Sequence, residues 1–432
     1  MKILVVYELL YKDDRNTINE FLYSFERYSD EEYYYLNAAY GVPRYITRIN
    51  FDLIVFQNTF FSFRWHYAAT PRNNHIFKDL NGYKIALPQD EFLNSDSLCD
   101  FFMNSGVKTV FTCVPQPEWQ KVYPREKSGL QHYFTVVAGY IDEIALKKWT
   151  KLYRHHHTRP IDVGYRARKI PFWLGRHGIL KWQLTEQFMN AAVNRDLKLD
   201  LSNNESDAFH GDQWYEFLGN CRVVLGCEGG ASLLDVDGSV KVKTEEYLFK
   251  HPHATFEEVE GACFPGLDGG FKFFTLSPRH FEACITRTCQ ALVEGDYGGI
   301  LKPGVHYIEI KKDWSNMDEV VEQIQDVDFC ERIADNAYRD IVEPGLYTYR
   351  NFVRGVLDHV RKVTILMPNP NREHTNYLEL LERRERLPFV YSPMAFGVGY
   401  IQVAVYKMIL KMDLYASFKK LEFLLKGAPK NN

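Results

Sequence analysis

The chain has 432 residues, a length that predicts two or three domains because one ordinary hydrophobic core does not grow so large. Its composition is globular, with 46% hydrophobic and 25% charged residues. The net charge of −4 gives no sign of the basic face that nucleic-acid binding requires, so we expect no nucleic-acid partner. The eight cysteines include no CxxC pair, which predicts buried free thiols. The sequence has no apolar run of about 18 residues and no signal peptide, so we expect a cytoplasmic protein.

Short apolar strands alternate with amphipathic helices through the first third of the chain. Ile18, Phe21, Leu22 and Phe25 recur at helical spacing and predict one apolar helix face. The predicted strands lie at residues 3–6, 53–56, 84–87, 107–114 and 134–137. This alternation predicts a mainly parallel sheet covered by helices, in which ligands bind at the carboxyl ends of the strands.

A basic segment with three adjacent histidines, residues 154–160, separates this part from a second alternation that begins at Ile161. Strands are predicted at 161–166, 199–201, 223–226 and 290–294, and helices at 179–193, 214–218 and 279–288, with one more opened by a capping box at 315–318. The sequence therefore predicts an α/β protein of two Rossmann-like domains, residues 1–155 and 156–365, facing across a cleft.

The tail, residues 366–432, differs in character from both domains. Its part from 389 to 426 is rich in apolar and aromatic residues with lysines spaced among them. A basic amphipathic helix on an anionic membrane surface is one interpretation. Packing of a C-terminal helix back onto the first domain is the interpretation we favour.

Glycines and arginines follow the opening strand of the second domain, before a long helix. Gly164, Arg166 and Arg168 come first, and Arg176 follows at the predicted helix start. Glycines allow close approach of the backbone to a ligand, arginines bind phosphate in a bidentate manner, and a helix N-terminus offers free N–H groups. We expect these residues to bind phosphate, with a solvated basic loop as the alternative.

A second group follows the strand that ends at Gly226. Glu228, Gly229 and Gly230 open the backbone, and Asp235 and Asp237 supply two carboxylates. Such carboxylates can act as base, nucleophile or ligands of sugar hydroxyls. Either Asp235 or Asp237 is a candidate for the chemical step, and we favour Asp235; the alternative is that one of them caps the following helix, for which Asp237 is well placed.

Two further positions carry candidate chemistry. His251 lies about a dozen residues downstream, where its imidazole can reach a phosphate or simply end a helix. In the first domain, Asp90 and Glu91 follow the predicted strand 84–87, and either is a candidate base if it is not a helix cap.

A third group resembles a known family. Ser277-Pro278-Arg279, then Glu282-Ala283, then the apolar strand 290–293 are similar to the C-terminal module of group 1 glycosyltransferases, which have the GT-B fold. The resemblance covers roughly residues 160–360 and is to enzymes of bacterial surface-polysaccharide gene clusters. It implies that Glu282 binds the ribose of a nucleotide donor and that Ser277 and Arg279 belong to the donor site.

This resemblance implies a glycosyltransferase that moves a sugar from a nucleotide-activated donor to a surface glycan or a lipid-linked acceptor. Many retaining members have a glutamate eight residues before the ribose-binding one, and this chain has Phe274 there, so neither the donor sugar nor the stereochemistry follows. Sugar transferases that hold a metal on Asp-x-Asp have a single-domain fold, so we expect no metal and no other cofactor.

Two alternatives remain open from the sequence. Asp237-Gly238 and His251-Pro252 loosely fit a transferase of CMP-activated ulosonic acids, such as Kdo, with an aspartate nucleophile. The other alternative is a catalytically inactive, glycan-binding scaffold of a polysaccharide assembly complex.

Overall fold

Two parallel β-sheets organise the chain in a computed structural model that describes residues 1–9, 16–62, 76–364 and 375–386. The strands of the first sheet are β1 (Lys2–Tyr7), β2 (Glu32–Asn37), β3 (Asn50–Phe56), β4 (Asn81–Ala86), β5 (Thr109–Thr112) and β6 (His132–Thr135). The strands of the second sheet are β7 (Ile161–Arg166), β8 (Leu199–Ser202), β9 (Cys221–Gly226), β12 (Cys289–Val293) and β13 (Ile308–Ile310), and a small ribbon pairs β10 (Gly229–Ala231) with β11 (Phe273–Thr275).

The helices lie before, between and after these strands. Those that accompany the first sheet are α1 (Asn16–Leu22), α2 (Ser24–Tyr28), α3 (Asn58–Ser62), α4 (Ser95–Ser105), α5 (Trp119–Val122), α6 (Arg125–Ser128) and α7 (Glu143–Thr150). Those that follow are α8 (Gly175–Ala191), α9 (Asp212–Asn220), α10 (Ser239–Lys250), α11 (Phe256–Cys263), α12 (Pro278–Ile285), α13 (Met317–Gln325), α14 (Val327–Ala337), α15 (Tyr349–Val363) and α16 (Thr375–Arg386).

The first sheet has the strand order β2-β1-β3-β4-β5-β6, and all its pairings are parallel. β1 is an interior strand and apolar because both of its faces are covered: Leu4 and Val6 lie in one hydrophobic cluster, Ile3 and Val5 in another. The five predicted strands of this region are confirmed. β2 was not predicted, since its sequence EYYYLN mixes tyrosines with polar residues and does not have the apolar run of a buried strand.

The second sheet has the strand order β13-β12-β9-β7-β8, again with parallel pairings throughout. The predicted strands and helices of this half are present, with ends shifted by a few residues. The capping box predicted at residues 315–318 is wrong, because Asn316 is the N-cap of α13 and its side chain makes no capping hydrogen bond. A capping box does occur at Thr255 and Glu258, where α11 begins.

The last described helices return to the first sheet. α15 packs Val353, Val356 and Val360 into the cluster that covers one face of that sheet. The predicted boundary at residue 365 assigned this helix to the second domain, and the apolar stripe of α15 does not itself reveal which sheet it covers. α16 covers the edge strand β2, so the described part of the tail packs on the first domain. The lysine-spaced stretch 389–426 lies outside the described residues.

Backbone hydrogen bonds join the two domains through what we call the interdomain strap, residues 92–96 and 235–236. Asp235 donates its N–H to the carbonyl of Phe92 (2.8 Å) and accepts from the N–H of Asn94 (2.7 Å). The N–H of Asp96 bonds to the carbonyl of Val236 (3.0 Å). Beside the strap, the ring of Phe92 packs on that of Phe273, in a hydrophobic cluster to which both domains contribute.

The carboxylate of Asp235 is buried and caps helix α10. Its two oxygens accept from the N–H groups of Val240 (3.2 Å) and Lys241 (2.8 Å). Asp237 is exposed and accepts from the N–H of Ser239 (2.9 Å). The interpretation of Asp237 as a helix cap agrees with this contact, whereas Asp235, the favoured chemical residue, also has both oxygens on the same helix.

Removing the Asp235 carboxylate should destabilise the protein. Asp235→Ala leaves two N–H groups of α10 without their acceptor in a buried place, so we expect a loss of about 1–3 kcal/mol in the free energy of unfolding. Asp237→Ala is the matched control and should cost at most about 0.5 kcal/mol, because water replaces its exposed oxygens. Urea denaturation of both variants measures the difference, and equal losses would contradict this role of Asp235.

Candidate functional site

Each sheet has a switch in strand order that opens a crevice at its carboxyl edge. In the first sheet, β1 lies between β2 and β3, and in the second sheet, β7 lies between β8 and β9. Ligands of open α/β sheets bind at such points. The described residues that directly follow β1, β3 and β4 therefore lie on one side of the candidate site, and those that follow β7, β9 and β12 lie on the other.

Three cations lie together on the second-domain side, and we call them the cationic cluster: Arg168 after β7, Lys181 on α8 and Arg279 on α12. Burial lowers the pKa of the Lys181 ammonium, and the charges of Arg279 and Arg168 act in the same direction. Among the residues that the structure describes, neither Lys181 nor Arg279 forms an ion pair with a carboxylate, and exposed Arg168 makes only a long one with Glu205 (3.8 Å). The charge of the cluster is only partly compensated, by Asp90 near Lys181 and by Glu282 near Arg279.

Helix α12 positions Arg279 at its first turn. Ser277 is the N-cap and Pro278 the first helical residue, a combination that starts a helix well because proline lacks the N–H that would be unpaired there. Arg279 donates to the carbonyl of Arg166 (3.1 Å), and its guanidinium lies over the ring of Trp214. The side chain of Ser277 makes no capping hydrogen bond to the first turn of α12.

Glu282 lies one turn further along α12 and is buried. Its carboxylate accepts a hydrogen bond from the indole N–H of Trp214 (2.6 Å), and burial raises its pKa. Glu20 on α1 of the first domain lies within electrostatic reach of Glu282. Burial raises the pKa of Glu20 to about 8, and the charges of Asp142 and Glu282 add to that rise.

Asp90 faces the cationic cluster from the first domain. It is exposed and has a left-handed backbone conformation (φ 56°) in the loop after β4. Its negative charge opposes the lowering of the Lys181 pKa, which places the carboxylate within electrostatic reach of that ammonium. The predicted role of Asp90 as a base stays a prediction.

Glu91, the neighbouring candidate base, turns into the protein instead. It is fully buried, and one of its oxygens accepts from the hydroxyl of Thr112 (2.6 Å) and from the N–H of Cys113 (3.2 Å). Glu91 therefore holds the end of β5, and a buried carboxylate in that position has no access to an acceptor.

Arg166 has a structural role instead of the predicted phosphate contact. Its guanidinium donates to the carboxylate of Asp200 (2.7 Å) and to the carbonyls of Tyr165, Asp200 and Asp207, and it stacks on the ring of Phe217 (4.5 Å). These contacts occupy the fork of donors that would otherwise bind a phosphate. The arginine holds β8 and the loop beyond it against β7.

Gly164 and Arg176 are also explained by packing. A Cβ at Gly164 would lie 2.3 Å from the sulfur of Cys221 on β9 and 2.7 Å from the ring of Phe217 on α9, so glycine is needed there for the close packing of both elements on β7. Arg176 makes ion pairs with Glu257 (3.0 Å), Glu260 (2.8 Å) and Asp268 (3.5 Å), which neutralise its charge away from the cationic cluster.

The Glu228-Gly229-Gly230 segment follows β9 at the carboxyl edge of the second sheet. Glu228 is buried and accepts from the N–H of Tyr297 (2.7 Å), so it joins the loops after β9 and β12. Gly229 and Gly230 begin the β10–β11 ribbon. His251 ends α10 as an exposed residue whose ring lies beside that of Tyr247 (4.6 Å), in agreement with the helix-end alternative.

Two residues of the site region, Lys181 and His177, both on α8, were not predicted from the sequence. Lys181 lies on an amphipathic helix, where a lysine usually indicates a solvated face. The buried ring of His177 stacks on Phe274 at 4.0 Å, and burial lowers its pKa to about 4. The sequence shows Phe274 where many retaining family members have a glutamate. It gives no sign that the Phe274 ring stacks on the neutral imidazole of His177.

No protein-family model matches the sequence, and no curated protein matches it either. Among solved structures, the fold is similar to an alpha-glucosyltransferase (AGT) in complex with UDP, with a TM-score of 0.50, 9% identity, and coverage of 83% of this chain and 99% of that one. T4 phage BGT in complex with UDP-glucose has a TM-score of 0.47 and 9% identity, with 83% and 99% coverage. TarM has a TM-score of 0.43 and 8% identity over 75% of this chain, which spans 57% of the length of TarM.

The similarity to AGT, together with the two parallel sheets, shows that this chain has the GT-B fold, in which two Rossmann-like domains face across a cleft. None of the helices in the described part of the chain is long and apolar enough to cross a membrane.

Gly230 should tolerate no side chain. Its φ is 110°, and a Cβ there would lie 1.8 Å from the carbonyl oxygen of Phe273. Gly230→Ala should therefore cost at least about 2 kcal/mol of stability, since the left-handed backbone and the clash both act on the ribbon. The control is Gly219→Ala on α9, where a Cβ meets nothing within 4 Å. Melting temperatures that fall equally in both variants would contradict this interpretation.

Proposed function

We propose that the protein is a glycosyltransferase that transfers a sugar from a nucleotide-activated donor. The observation that carries the proposal is the cationic cluster, in which Lys181 and Arg279 form no ion pair with a carboxylate among the described residues. It lies at the carboxyl edge of the second sheet in a chain with the GT-B fold, and it faces a carboxylate of the first domain. A diphosphate is the ligand whose charge and size suit this place.

Lys181 and Arg279 contact the diphosphate in this proposal. When the bond between the anomeric carbon and the phosphate breaks, negative charge grows on the leaving group, and fixed cations in a partly dehydrated cleft stabilise it. The N–H groups at the start of α12 add further donors, since the N-cap side chain does not occupy them. Because side chains supply the positive charge, the proposed transfer needs no metal ion.

Glu282 binds the ribose in this proposal. A carboxylate accepts hydrogen bonds from both hydroxyls of a ribose, and Trp214 fixes its orientation through the bond to one oxygen. The solved AGT structure contains UDP, and we propose a uridine nucleotide for this chain as well. Ser277 lies at the start of the same helix, within the donor site.

The acceptor we propose is a bacterial surface glycan or its lipid-linked precursor. The support is the resemblance of residues 160–360 to enzymes of surface-polysaccharide clusters, and the open carboxyl edge of the first sheet provides the space. Membrane contact through the tail stays a prediction. The nucleophile of an ulosonic-acid transferase is not favoured at Asp235, because both of its oxygens cap α10.

The proposal is tested by measuring sugar release from a panel of UDP-, GDP-, TDP- and CMP-sugars, with water as the acceptor. We expect slow hydrolysis of one donor class above the background without protein. A protein that hydrolyses none of the four classes and binds none of the free nucleotides would contradict the proposal.

Lys181→Met should weaken UDP binding by about ten- to a hundredfold, because one charged hydrogen bond to phosphate is lost. Affinity for uridine, which lacks the phosphates, should stay unchanged. Lys151→Met, an exposed lysine beyond α7, is the control for removing one positive charge. Titration calorimetry gives both affinities. If UDP and uridine weaken equally, Lys181 is a structural residue and the diphosphate lies elsewhere.

A further inference from the structure

The two domains share a hydrophobic cluster beside the interdomain strap. The ring of Phe92, from the first domain, packs on that of Phe273 on β11, with the ring centres 5.6 Å apart, and lies 6.4 Å from the ring of Trp173, just before α8. The first domain also contributes the apolar face of α4 to this cluster. The second domain contributes further buried side chains, which are Ile170, Leu174, Ala231 and Phe271. At this place the two domains therefore have a common apolar core.

The interdomain strap has the form of a short parallel β-bridge between Leu93 and Asp235. Its three hydrogen bonds join backbone groups of one domain to backbone groups of the other, so they do not depend on the charge of any side chain. The two backbones approach closely, because a Cβ at Gly238 would lie 2.8 Å from the side-chain oxygen of Asn94. Near the strap, Lys121 on α5 donates to the carbonyl of Gly270 (2.8 Å).

The chain passes between the domains in two segments, residues 136–142 and 343–348, which we call the crossings. The crossings are bonded to each other: the N–H of Ile141 donates to the carbonyl of Tyr347 (2.8 Å), and the N–H of Tyr349 donates to the carbonyl of Ile141 (3.1 Å). Just beyond them, Arg350 and Glu143 form a bidentate ion pair (2.7 and 3.0 Å). A hinge between the domains would lie at these crossings, where few residues join them covalently.

The strap is a second attachment, at a different place along the first sheet. It follows β4, whereas the first crossing follows β6, two strands further along. Two domains attached at both places can turn only about an axis through both, and such a turn would pull the shared cluster apart and expose its apolar side chains to water. Domains of one chain move relative to each other unless an apolar interface holds them, and here a common core and backbone hydrogen bonds do so.

We propose that the strap and the shared cluster lock the two domains into one rigid body. Rotation about the crossings would break the hydrogen bonds of the strap and separate Phe92 from Phe273, so the domains keep the same relative position in the free protein and with a ligand bound. Ligands then enter and leave through motion of individual loops, not through separation of the domains. This inference concerns the domains themselves and does not depend on the proposed glycosyl transfer.

Distances measured between the two domains of the full chain test the proposal. Glu126→Cys on α6 and Glu322→Cys on α13 place one exposed thiol in each domain. All eight native cysteines are buried, so spin labels should attach to the two introduced ones. Pulsed electron paramagnetic resonance should give one narrow distance distribution in the free protein. The mean distance should shift by less than about 2 Å when UDP is added.

Hydrogen exchange at the strap gives a second readout that needs neither label nor ligand. The amides of Asn94, Asp96 and Asp235 should exchange as slowly as those of β1 and β9, because no local opening releases them. Phe92→Ala removes the ring that packs on the second domain, so exchange at the strap should become at least about tenfold faster while β1 and β9 stay protected. Met103→Ala, at an exposed position of α4, is the matched control and should leave exchange at the strap unchanged.

The outcomes distinguish this inference from the proposed function. A second population at a longer distance, a larger shift with UDP, or strap amides that exchange much faster than those of the strands would overturn the rigid arrangement. Unchanged exchange at the strap in folded Phe92→Ala would overturn the role of the shared cluster. A wild-type protein that binds no nucleotide overturns the proposed function alone, because the distances and the exchange of the free protein still show whether the domains separate. If Phe92→Ala does not fold, these wild-type measurements decide.

Discussion

The backbone hydrogen bonds between residues 92–94 and Asp235 fix the carboxyl edges of the two sheets against each other. They tie the loop after β4, which carries Asp90, to the segment that starts α10. The apolar contact of Phe92 with Phe273 excludes water beside them, so the bonds are protected from competition. These contacts connect the loop that carries Asp90 directly to the second domain.

The cationic residues near the cleft form two groups, those with partners within the fold and those without an ion-pair partner among the described residues. Arg166 and Arg176 are paired with carboxylates, and burial among carbonyl oxygens satisfies Arg159 near the domain boundary. Lys181 and Arg279 have no such partner in the described part of the chain. A half-buried cation without a counter-ion is costly, and its persistence in a cleft is a physical reason to expect an anionic ligand.

The fold class followed from the sequence because apolar strands and amphipathic helices have different periods, and the two alternations were clear. The predictions that were wrong concerned residues whose contacts lie far away in the sequence. Arg166 has the residue type and spacing of a phosphate ligand, and only the structure shows that Asp200 and three carbonyl groups occupy it. Asp235 is a polar residue in a glycine-rich loop, and the local sequence pattern does not indicate that it is buried within the interdomain strap. Lys181 was missed for the opposite reason, since a lysine on a helix gives no local sign that it faces a cleft.

The central claim is that the cationic cluster holds the diphosphate of the donor, and a crystal structure of the protein with UDP tests it most directly. The account predicts a phosphate oxygen within about 2.7–3.2 Å of Lys181 Nζ, with the Arg279 guanidinium in contact with the same diphosphate. It also predicts that Arg166 keeps its bonds to Asp200 in the complex. A diphosphate bound at Arg166 or Arg176, with Lys181 out of contact, would contradict the account.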